Sequence, residues 1–200
     1  MGHNLNMDHE QAWAELQSRI RAMECGPGLG PVPGAGDPHA RLVLVGEAPG
    51  ETEARQGRPF VGAAGRLLDE ALAKAGLSRD EIWTTNTVKC RPVMGEGPRY
   101  RNRAPTTAEI RHWQPLLEEE LQLLAPRVIV CLGAVAAKAI IDPQFTMNRQ
   151  RGQWLPTRFG AEALATYHPA YLFRLQGDAR DAALAALEAD LRAARERLMG

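Results

Sequence analysis

The chain has 200 residues, with 24 basic and 24 acidic side chains and 44% hydrophobic residues. A chain of this length can bury one hydrophobic core, and its zero net charge disfavours binding of polyanions through overall charge, although a local basic patch is compatible with it. No run of about 20 apolar residues predicts a membrane helix, and the amino terminus lacks the apolar core of a signal peptide, so we expect a cytoplasmic protein.

Helical and strand patterns follow one another along the chain. An amphipathic helix is predicted over 8–24, with Asp8 as its N-cap, and the glycine- and proline-rich stretch 26–38 is predicted to be a loop. Further on, the patterns predict strands at 42–45, 82–88, 128–132 and 163–166 and helices at 64–75, 107–124, 134–141 and 181–198. Strands that alternate with helices form a parallel sheet covered on both faces. We therefore predict a single α/β domain over 1–200, a three-layer α/β/α fold around a central four-stranded parallel sheet, with its core at 41–175.

Polar side chains follow the ends of the predicted strands. Glu47, Glu51 and Glu53 come after the first strand, Asn86 lies near the end of the second, and His168 follows the fourth. Parallel strands point the same way, so we expect these side chains at one rim of the sheet, where α/β proteins bind their ligands. Carboxylates and a histidine at one rim are groups that a hydrolytic site uses.

Five motifs in this part of the chain resemble one family. They are Gly46-Glu47-Ala48-Pro49-Gly50, Gly57-Arg58-Pro59-Phe60-Val61-Gly62, Thr85-Asn86-Thr87-Val88-Lys89-Cys90-Arg91-Pro92, Asn102-Arg103-Ala104-Pro105 and Tyr167-His168-Pro169-Ala170-Tyr171-Leu172. In this order, between residues 41 and 174, they resemble the uracil-DNA glycosylase superfamily, and in particular its family 4, the bacterial and archaeal type. Each motif alone would be a weak signal, whereas the agreement of all of them is specific.

The resemblance implies an enzyme that flips uracil out of DNA and hydrolyses its N-glycosidic bond, leaving an abasic site in base excision repair. The catalytic residues that it implies are Glu47, Glu53, Asn102 and His168, with His168 donating to the uracil O2 as negative charge develops there. Ala48 stands where the best-known glycosylase family has an aspartate general base, so Glu53 is our preferred candidate for water activation. No lysine in the motifs is an obvious Schiff-base nucleophile, so we expect a monofunctional glycosylase.

Further residues are expected to bind the flipped uracil. Phe60 would stack on the ring, because stacking on an aromatic side chain tolerates any flat base. Asn86 would pair with O4 and N3–H of uracil, where cytosine presents the opposite polarity. Gly46 and Ala48 are expected to lie beside the base.

Two segments are expected to contact DNA. Tyr171, Leu172 and Arg174 follow the histidine and would enter the space that the flipped base leaves. A basic strip suited to phosphates contains Arg91, Arg99, Arg101 and Arg103. The extra segment 93–101 within this strip is rich in glycine and is predicted to be a loop. We expect a monomer that acts on uracil-containing DNA and does not bind membranes, and the sequence leaves open whether the DNA is single- or double-stranded.

The cysteines depart from the resemblance. Family 4 members typically hold a [4Fe–4S] cluster with four cysteines; Cys90 matches the third, Cys25 at most one of the first pair, and Trp113 stands at the fourth position. Neither Ala22 nor Gly28, on either side of Cys25, can supply the missing thiolate. Because a cluster needs four thiolates or a close substitute, we predict no cluster and no metal, with Trp113 and the amino-terminal segment filling that volume. An odd number of widely spaced cysteines indicates no disulfide framework, and whether Cys25 and Cys90 lie close together stays open.

Three alternatives accompany this reading. The same fold could act on deaminated purines such as hypoxanthine, or could bind damaged DNA without cutting it. The presence of Glu47, Glu53, Asn102 and His168 together argues against loss of catalysis. A nucleoside hydrolase that acts on small molecules is the third alternative, and it would leave the basic strip without a purpose.

Overall fold

The computed structural model describes residues 2–26 and 29–200. Pro27 and Gly28, part of the predicted glycine-rich loop, lie outside the described residues. The helices and strands are, in chain order, α1 (Gly2–Ala22), β1 (Ala35–Gly36), β2 (Leu42–Gly46), α2 (Glu51–Gln56), α3 (Ala63–Ala75), β3 (Trp83–Asn86), β4 (Val93–Met94), β5 (Arg101–Asn102), α4 (Thr107–Leu124), β6 (Val128–Leu132), α5 (Ala134–Ile140), α6 (Met147–Gln150), β7 (Leu155–Pro156), β8 (Glu162–Thr166) and α7 (Gly177–Met199). Short 3₁₀ turns occupy Arg79–Glu81, Gly97–Arg99 and Pro169–Arg174. Across the described ranges, no helix combines the length and the apolar character needed to cross a membrane.

The main sheet has six strands in the order β1-β3-β2-β6-β8-β7. Its inner strands β3, β2, β6 and β8 run parallel and lie where the sequence predicted strands, so the single-domain, three-layer α/β/α fold is confirmed. The predicted sheet was too narrow, because β1 and β7 each add an antiparallel strand of two residues at an edge. A strand this short carries no period-two pattern, so the sequence gives no local signal for it.

Side chains of the inner strands alternate between two apolar layers. Leu44 and Val130 pack on one face with α3 and α7, whereas Val43 and Ile129 pack on the other with α4 and α5. Burying one such side chain stabilises the fold by about 1.5–3 kcal/mol. Both faces are therefore covered, and the carboxyl ends of the parallel strands stay at one rim.

Several predicted boundaries differ from the structure, and two of the differences have a clear cause or consequence. α1 begins at Gly2, so Asp8 lies inside the helix and is not its N-cap. β3 ends at Asn86 instead of residue 88, because the chain turns there across the end of β2 and Thr87 donates its backbone N–H to the Gly46 carbonyl. This turn brings the side chain of Asn86 to the rim.

The segment 93–101 is a small hairpin, and the prediction of a loop was wrong. Val93 pairs with Asn102 and Met94 with Arg101 in an antiparallel ladder. Gly95, at φ 96°, lies in the turn between them, in a backbone conformation that glycine adopts without strain. The pairing rests on backbone hydrogen bonds between two-residue strands, so side-chain periodicity does not reveal it. The hairpin ends at Asn102, which the sequence placed in the site.

The amino-terminal helix packs on α4 through a third apolar cluster. Its buried members are Leu16, Ile20, Val88, Trp113 and Leu116. Trp113 therefore occupies the space between α1 and the segment after β3.

A disulfide closes the edge of this cluster. Cys25 and Cys90 are bonded, with 5.4 Å between their Cα atoms, and Cys131 is a buried free thiol. The sequence left open whether Cys25 and Cys90 lie close together, because their spacing along the chain carries no information about the turn after β3 that brings Cys90 to Cys25.

Candidate active site

A cleft of about 870 Å³ lies at the carboxyl ends of the parallel strands. Its volume is in the range of small-ligand sites. The loop after β2, the end of β3, the start of α5 and the turn after β8 all contribute to its wall. The convergence predicted from the strand pattern thus brings Glu47, Glu53, Asn86 and His168 into one site, with Asn102 added by the hairpin.

The part of the site nearest the core is largely buried, and we name Gly46, Phe60, Asn86 and His168 the base side. Asn86 is 2% exposed, and its Oδ1 has no hydrogen-bond partner among the described residues. A Cβ atom on Gly46 would overlap Asn86 Oδ1 and would stand 2.5 Å from Cζ of Phe60. Gly46 therefore has to lack a side chain for the asparagine and the aromatic ring to come together.

The backbone of Phe60 is held in an unusual conformation. Its φ is 54°, in the left-handed region, where a bulky residue is strained. Arg79 Nη2 donates to the Phe60 carbonyl at 3.1 Å, and its guanidinium lies 5.7 Å from the centre of the phenyl ring. A Cβ on Gly65 would overlap the same carbonyl. Arg79 and Gly65, which the sequence reasoning missed, keep this ring in the cleft 6.2 Å from the His168 ring.

His168 opens the 3₁₀ turn after β8. Its Nδ1 accepts from the Ala170 N–H at 3.1 Å, so in the neutral ring the proton resides on Nε2. Burial first, and then the charge of Arg174, lower the pKa of His168 to about 4, and the charge of Glu53 opposes both effects. The imidazole is therefore neutral near pH 7 and has a hydrogen-bond donor at Nε2.

The two carboxylates that line the cleft have different surroundings. Glu53 is 9% exposed, and its Oε1 accepts from the Gly62 N–H at 2.8 Å, which leaves Oε2 for another donor. A Cβ on Gly50 would stand 2.8 Å from that Oε2. Burial raises the pKa of Glu47, and the charge of Arg174 opposes this shift. Glu53 is thus fixed by a backbone donor, whereas Glu47 is disfavoured as an anion.

A second part of the site is held by an ion pair and a hydrogen bond, and we name Glu51, Arg91 and Asn102 the hairpin side. Arg91 donates from Nε to Asn102 Oδ1 at 2.6 Å and from Nη2 to Glu51 Oε2 at 3.1 Å. Asn102 Nδ2 lies 3.5 Å from the position of a Cβ on Gly50. The asparagine amide and the Glu53 carboxylate therefore lie on the same side of the cleft.

The residues predicted to contact DNA differ in their exposure to solvent. Tyr171 and Phe173 are 41% and 52% exposed, and both line the cleft together with Arg174. Leu172 is completely buried in the core, so the prediction that it enters the DNA was wrong. In the 3₁₀ turn it faces inward, and Phe173 provides the exposed apolar surface instead.

The predicted basic strip is only partly available. Arg99 and Arg101 are exposed on the hairpin. Arg103 pairs with Glu109 at 2.7 Å and donates to the Val93 carbonyl, and Arg91 is bound to Asn102 and Glu51. Arg91 and Arg103 thus have partners within the protein, which a run of charges in a sequence does not show.

A buried polar network beneath Asn86 was missed. Lys89 Nζ donates to Glu120 Oε2 at 2.6 Å, to the Asn86 carbonyl at 2.9 Å and to the Thr85 hydroxyl. Trp83 Nε1 donates to Glu120 Oε1 at 2.9 Å. Glu120 lies on the inward stripe of α4 beside Leu117 and Leu121. A glutamate on such an apolar stripe is the feature of the sequence that could have indicated a buried charge.

The thiol groups present do not fit an iron–sulfur cluster. A cluster needs four thiolates or close substitutes, whereas Cys25 and Cys90 are bonded to each other. Throughout residues 2–26 and 29–200, no group of three or more His, Cys, Asp or Glu side chains is placed to hold a metal ion. No step of the chemistry below therefore involves a cluster.

The fold and the cleft together define an α/β protein with polar and aromatic side chains gathered at the strand ends of its sheet. The chain belongs to the uracil-DNA glycosylase superfamily, whose family pattern it matches over residues 33–192.

Individual relatives agree with this assignment. The chain is 44% identical over 153 residues to a type-4 uracil-DNA glycosylase of Archaeoglobus fulgidus, covering 72% of this chain and 73% of the relative. It is 39% identical over 144 residues to a type-4 uracil-DNA glycosylase of Thermotoga maritima, covering 72% and 71%. A type-5 uracil-DNA glycosylase of Thermus thermophilus is 36% identical over 179 residues, covering 78% of each chain.

Proposed function

We propose that this protein is a monofunctional uracil-DNA glycosylase of the family 4 type, which hydrolyses the N-glycosidic bond of deoxyuridine in DNA. The observation that carries the proposal is the buried Oδ1 of Asn86, which has no partner among the described residues and lies beside the Phe60 ring. An unpaired buried acceptor costs about 1–3 kcal/mol. The N3–H of uracil is a donor that would satisfy it, and the names of the relatives support this choice of base.

Asn86 gives the selectivity against cytosine. Its Oδ1 accepts from the uracil N3–H and its amide group donates to O4, whereas cytosine would set its N3 acceptor against the asparagine oxygen. Phe60 stacks on the ring, and such stacking contributes about 1–3 kcal/mol for any base. Selectivity therefore rests on the amide, and affinity for a flat base rests on the phenyl ring.

His168 stabilises the departing base. Negative charge develops on the uracil O2 as the glycosidic bond breaks, and a fixed donor there lowers the barrier. Because the pKa of His168 is about 4, the ring is a neutral imidazole. It donates a hydrogen bond from Nε2–H to the uracil O2 and keeps its proton. The uracil leaves as an anion.

Glu53 activates the water that attacks the sugar. Its free Oε2 accepts a proton from the water, and Asn102 Nδ2 donates to the same water. A positioned general base contributes about 10²–10⁴-fold. The carboxylate also places negative charge near the sugar, which develops positive charge as uracil departs.

The product is an abasic site. Lys89 is the lysine of the matched motifs, and its Nζ is fully buried and bound to Glu120, so it cannot reach the sugar to form a Schiff base. Tyr171 and Phe173 enter the space that the flipped base leaves in the DNA, and Arg99 and Arg101 contact phosphates. The protein acts as a cytoplasmic monomer.

The same proposal includes catalysis without an iron–sulfur cluster. Its support is the bond between Cys25 and Cys90 and the packing of Trp113 against α1. Freshly purified protein should lack iron absorbance near about 400 nm, a band that bound clusters give. Stoichiometric iron in the purified protein would contradict this part of the proposal.

The test is uracil release from labelled oligonucleotides, single-stranded or with uracil opposite guanine or adenine, followed by alkali to cut abasic sites. Wild-type protein should cut them, and Glu53→Ala and His168→Ala should be slower by about 10²-fold or more. Glu15→Ala, an exposed glutamate on α1, is the matched control and should behave as wild type. Release of hypoxanthine alone, or tight binding without release, would replace the proposal with one of the alternatives.

A further inference from the structure

Arg91 belongs to the predicted phosphate-binding strip, but the structure gives it another position. Its side chain is 11% exposed, and it bridges Asn102 on the hairpin and Glu51 on α2. We propose that Arg91 is a positioning residue, which fixes the orientation of the Asn102 amide for water activation and does not bind a DNA phosphate. This inference deepens the proposed function and rests on it.

The bridge determines which end of the amide faces the reaction. A guanidinium only donates hydrogen bonds, so Arg91 holds the oxygen of Asn102. The Nδ2 donor is then directed toward Gly50, whose Cβ position lies 3.5 Å from that nitrogen and 2.8 Å from Glu53 Oε2. One water between them can accept from Nδ2 and donate to Oε2. A rotated amide would set its NH2 group against the Arg91 guanidinium, donor against donor, and would turn its oxygen toward this water, which would lose the donor at Nδ2.

Two neighbours hold Arg91 itself. Cys90, the preceding residue, is tied to Cys25 by the disulfide. The hydrogen bond from Arg55 and the charge of Arg91 lower the pKa of Glu51, so this carboxylate stays ionised and is a lasting partner. Arginine suits the bridge because its rigid fork reaches two acceptors in fixed directions, whereas a lysine presents a single point charge.

The two roles for Arg91 predict different kinetics. We would compare wild type with Arg91→Met and Arg91→Lys in single turnovers at saturating enzyme, and measure DNA affinity from low to high salt. Both variants should be slower by about tenfold to a hundredfold at saturation, as expected for a misplaced reacting group. The slope of log affinity against log salt should stay unchanged, because no phosphate contact is lost.

Arg101→Met is the matched control for phosphate binding. Arg101 is exposed on the same hairpin, and its loss should weaken binding and reduce the salt slope by about one. The proposal is overturned if Arg91→Met reproduces this pattern, with reduced slope and an unchanged saturated rate.

A double-mutant cycle separates positioning from a general effect on the fold. Adding Arg91→Met to Asn102→Ala should cause no further loss of rate, because there is no amide left to orient. Equal losses in both backgrounds would overturn the proposal. Thermal melts should show that each variant is folded. If Arg91→Met does not fold, Arg91→Lys, which keeps the charge, takes its place in the cycle.

A spectroscopic readout does not depend on turnover. The side-chain amide signal of Asn102 in ¹H–¹⁵N spectra, identified by its absence in Asn102→Ala, should shift in Arg91→Met and should stay in place in Arg101→Met. An unmoved signal would overturn the bridge. If wild type releases no uracil, the proposed function fails, while this signal and the salt slope still decide the role of Arg91.

Discussion

The two sides of the cleft are built in different ways. On the base side, Phe60 and Asn86 are buried against strand ends and the core. On the hairpin side, Asn102 is exposed in a two-residue strand and is held by Arg91 and Glu51. The contrast separates a buried part of the proposed site, which is continuous with the core, from an exposed part, which surface ion pairs and a nearby disulfide hold.

The largest effect should come from breaking the network beneath the base side. Lys89→Met leaves Glu120 buried without its cation, and both side chains are 0% exposed, so the free energy of unfolding should fall by about 5 kcal/mol. Urea denaturation measures this loss. Lys89→Met combined with Glu120→Leu should recover part of it, because no unpaired charge remains. If Lys89→Met alone is as stable as wild type, the ion pair between Lys89 and Glu120 does not stabilise the base side.

Reduction of the disulfide tests the hairpin side. The bond between Cys25 and Cys90 closes a loop with a sequence separation of 65, for which chain entropy predicts about 4 kcal/mol of stabilisation. A reductant should lower the urea midpoint of wild type and leave that of Cys25→Ser/Cys90→Ser unchanged. We expect uracil release to fall while selectivity for uracil over cytosine stays the same. A loss of selectivity would mean that the two sides are not separate.

Lowering the pH should reduce the free energy of unfolding through protonation of His168 on the base side. Its pKa is about 4 in the folded protein and near 6.5 when unfolded, so the unfolded chain binds the proton first. Neutral His168 therefore contributes on the order of 3 kcal/mol to the free energy of unfolding. This contribution is complete above about pH 6.5 and is lost as the pH falls to about 4. Denaturation of wild type and His168→Gln between these pH values measures the difference. Parallel curves for the two proteins would contradict the lowered pKa.

The smallest expected effect concerns the pKa of Glu47. Burial raises it and the charge of Arg174 opposes that rise. Arg174→Met should therefore raise the pKa of Glu47 further and move the acid limb of the pH–rate profile of uracil release toward higher pH. Arg99→Met, an arginine on the hairpin, is the matched control and should leave the limb in place. An acid limb that does not move in Arg174→Met would show that Glu47 does not control it.

The base side was largely predictable from the sequence. Gly46 and Asn86 end buried strands and His168 follows another, and parallel strands bring their carboxyl ends together. The apolar runs that define those strands are local signals, so their convergence could be stated without coordinates. The four inner strands were placed correctly for the same reason.

The hairpin side was not predictable in this way. The ladder between Val93 and Asn102, the bond between Cys25 and Cys90 and the bridge through Arg91 all join residues that lack a shared pattern in the sequence. Leu172 was misplaced because a 3₁₀ turn directs consecutive side chains to different sides, and the sequence does not indicate which one faces the core. Arg91 was predicted to bind DNA because a sequence does not show which other residue of the protein an arginine pairs with.

The short edge strands have a consequence for how the protein behaves at high concentration. Strands β1 and β7 border the sheet with two residues each, and Pro156 in β7 lacks a backbone N–H. An edge this short offers little backbone for a second sheet to pair with, which is one way that natural proteins avoid edge-to-edge aggregation. The parallel sheet that presents the reacting groups at its rim is thereby shielded at both borders from joining the sheets of other molecules.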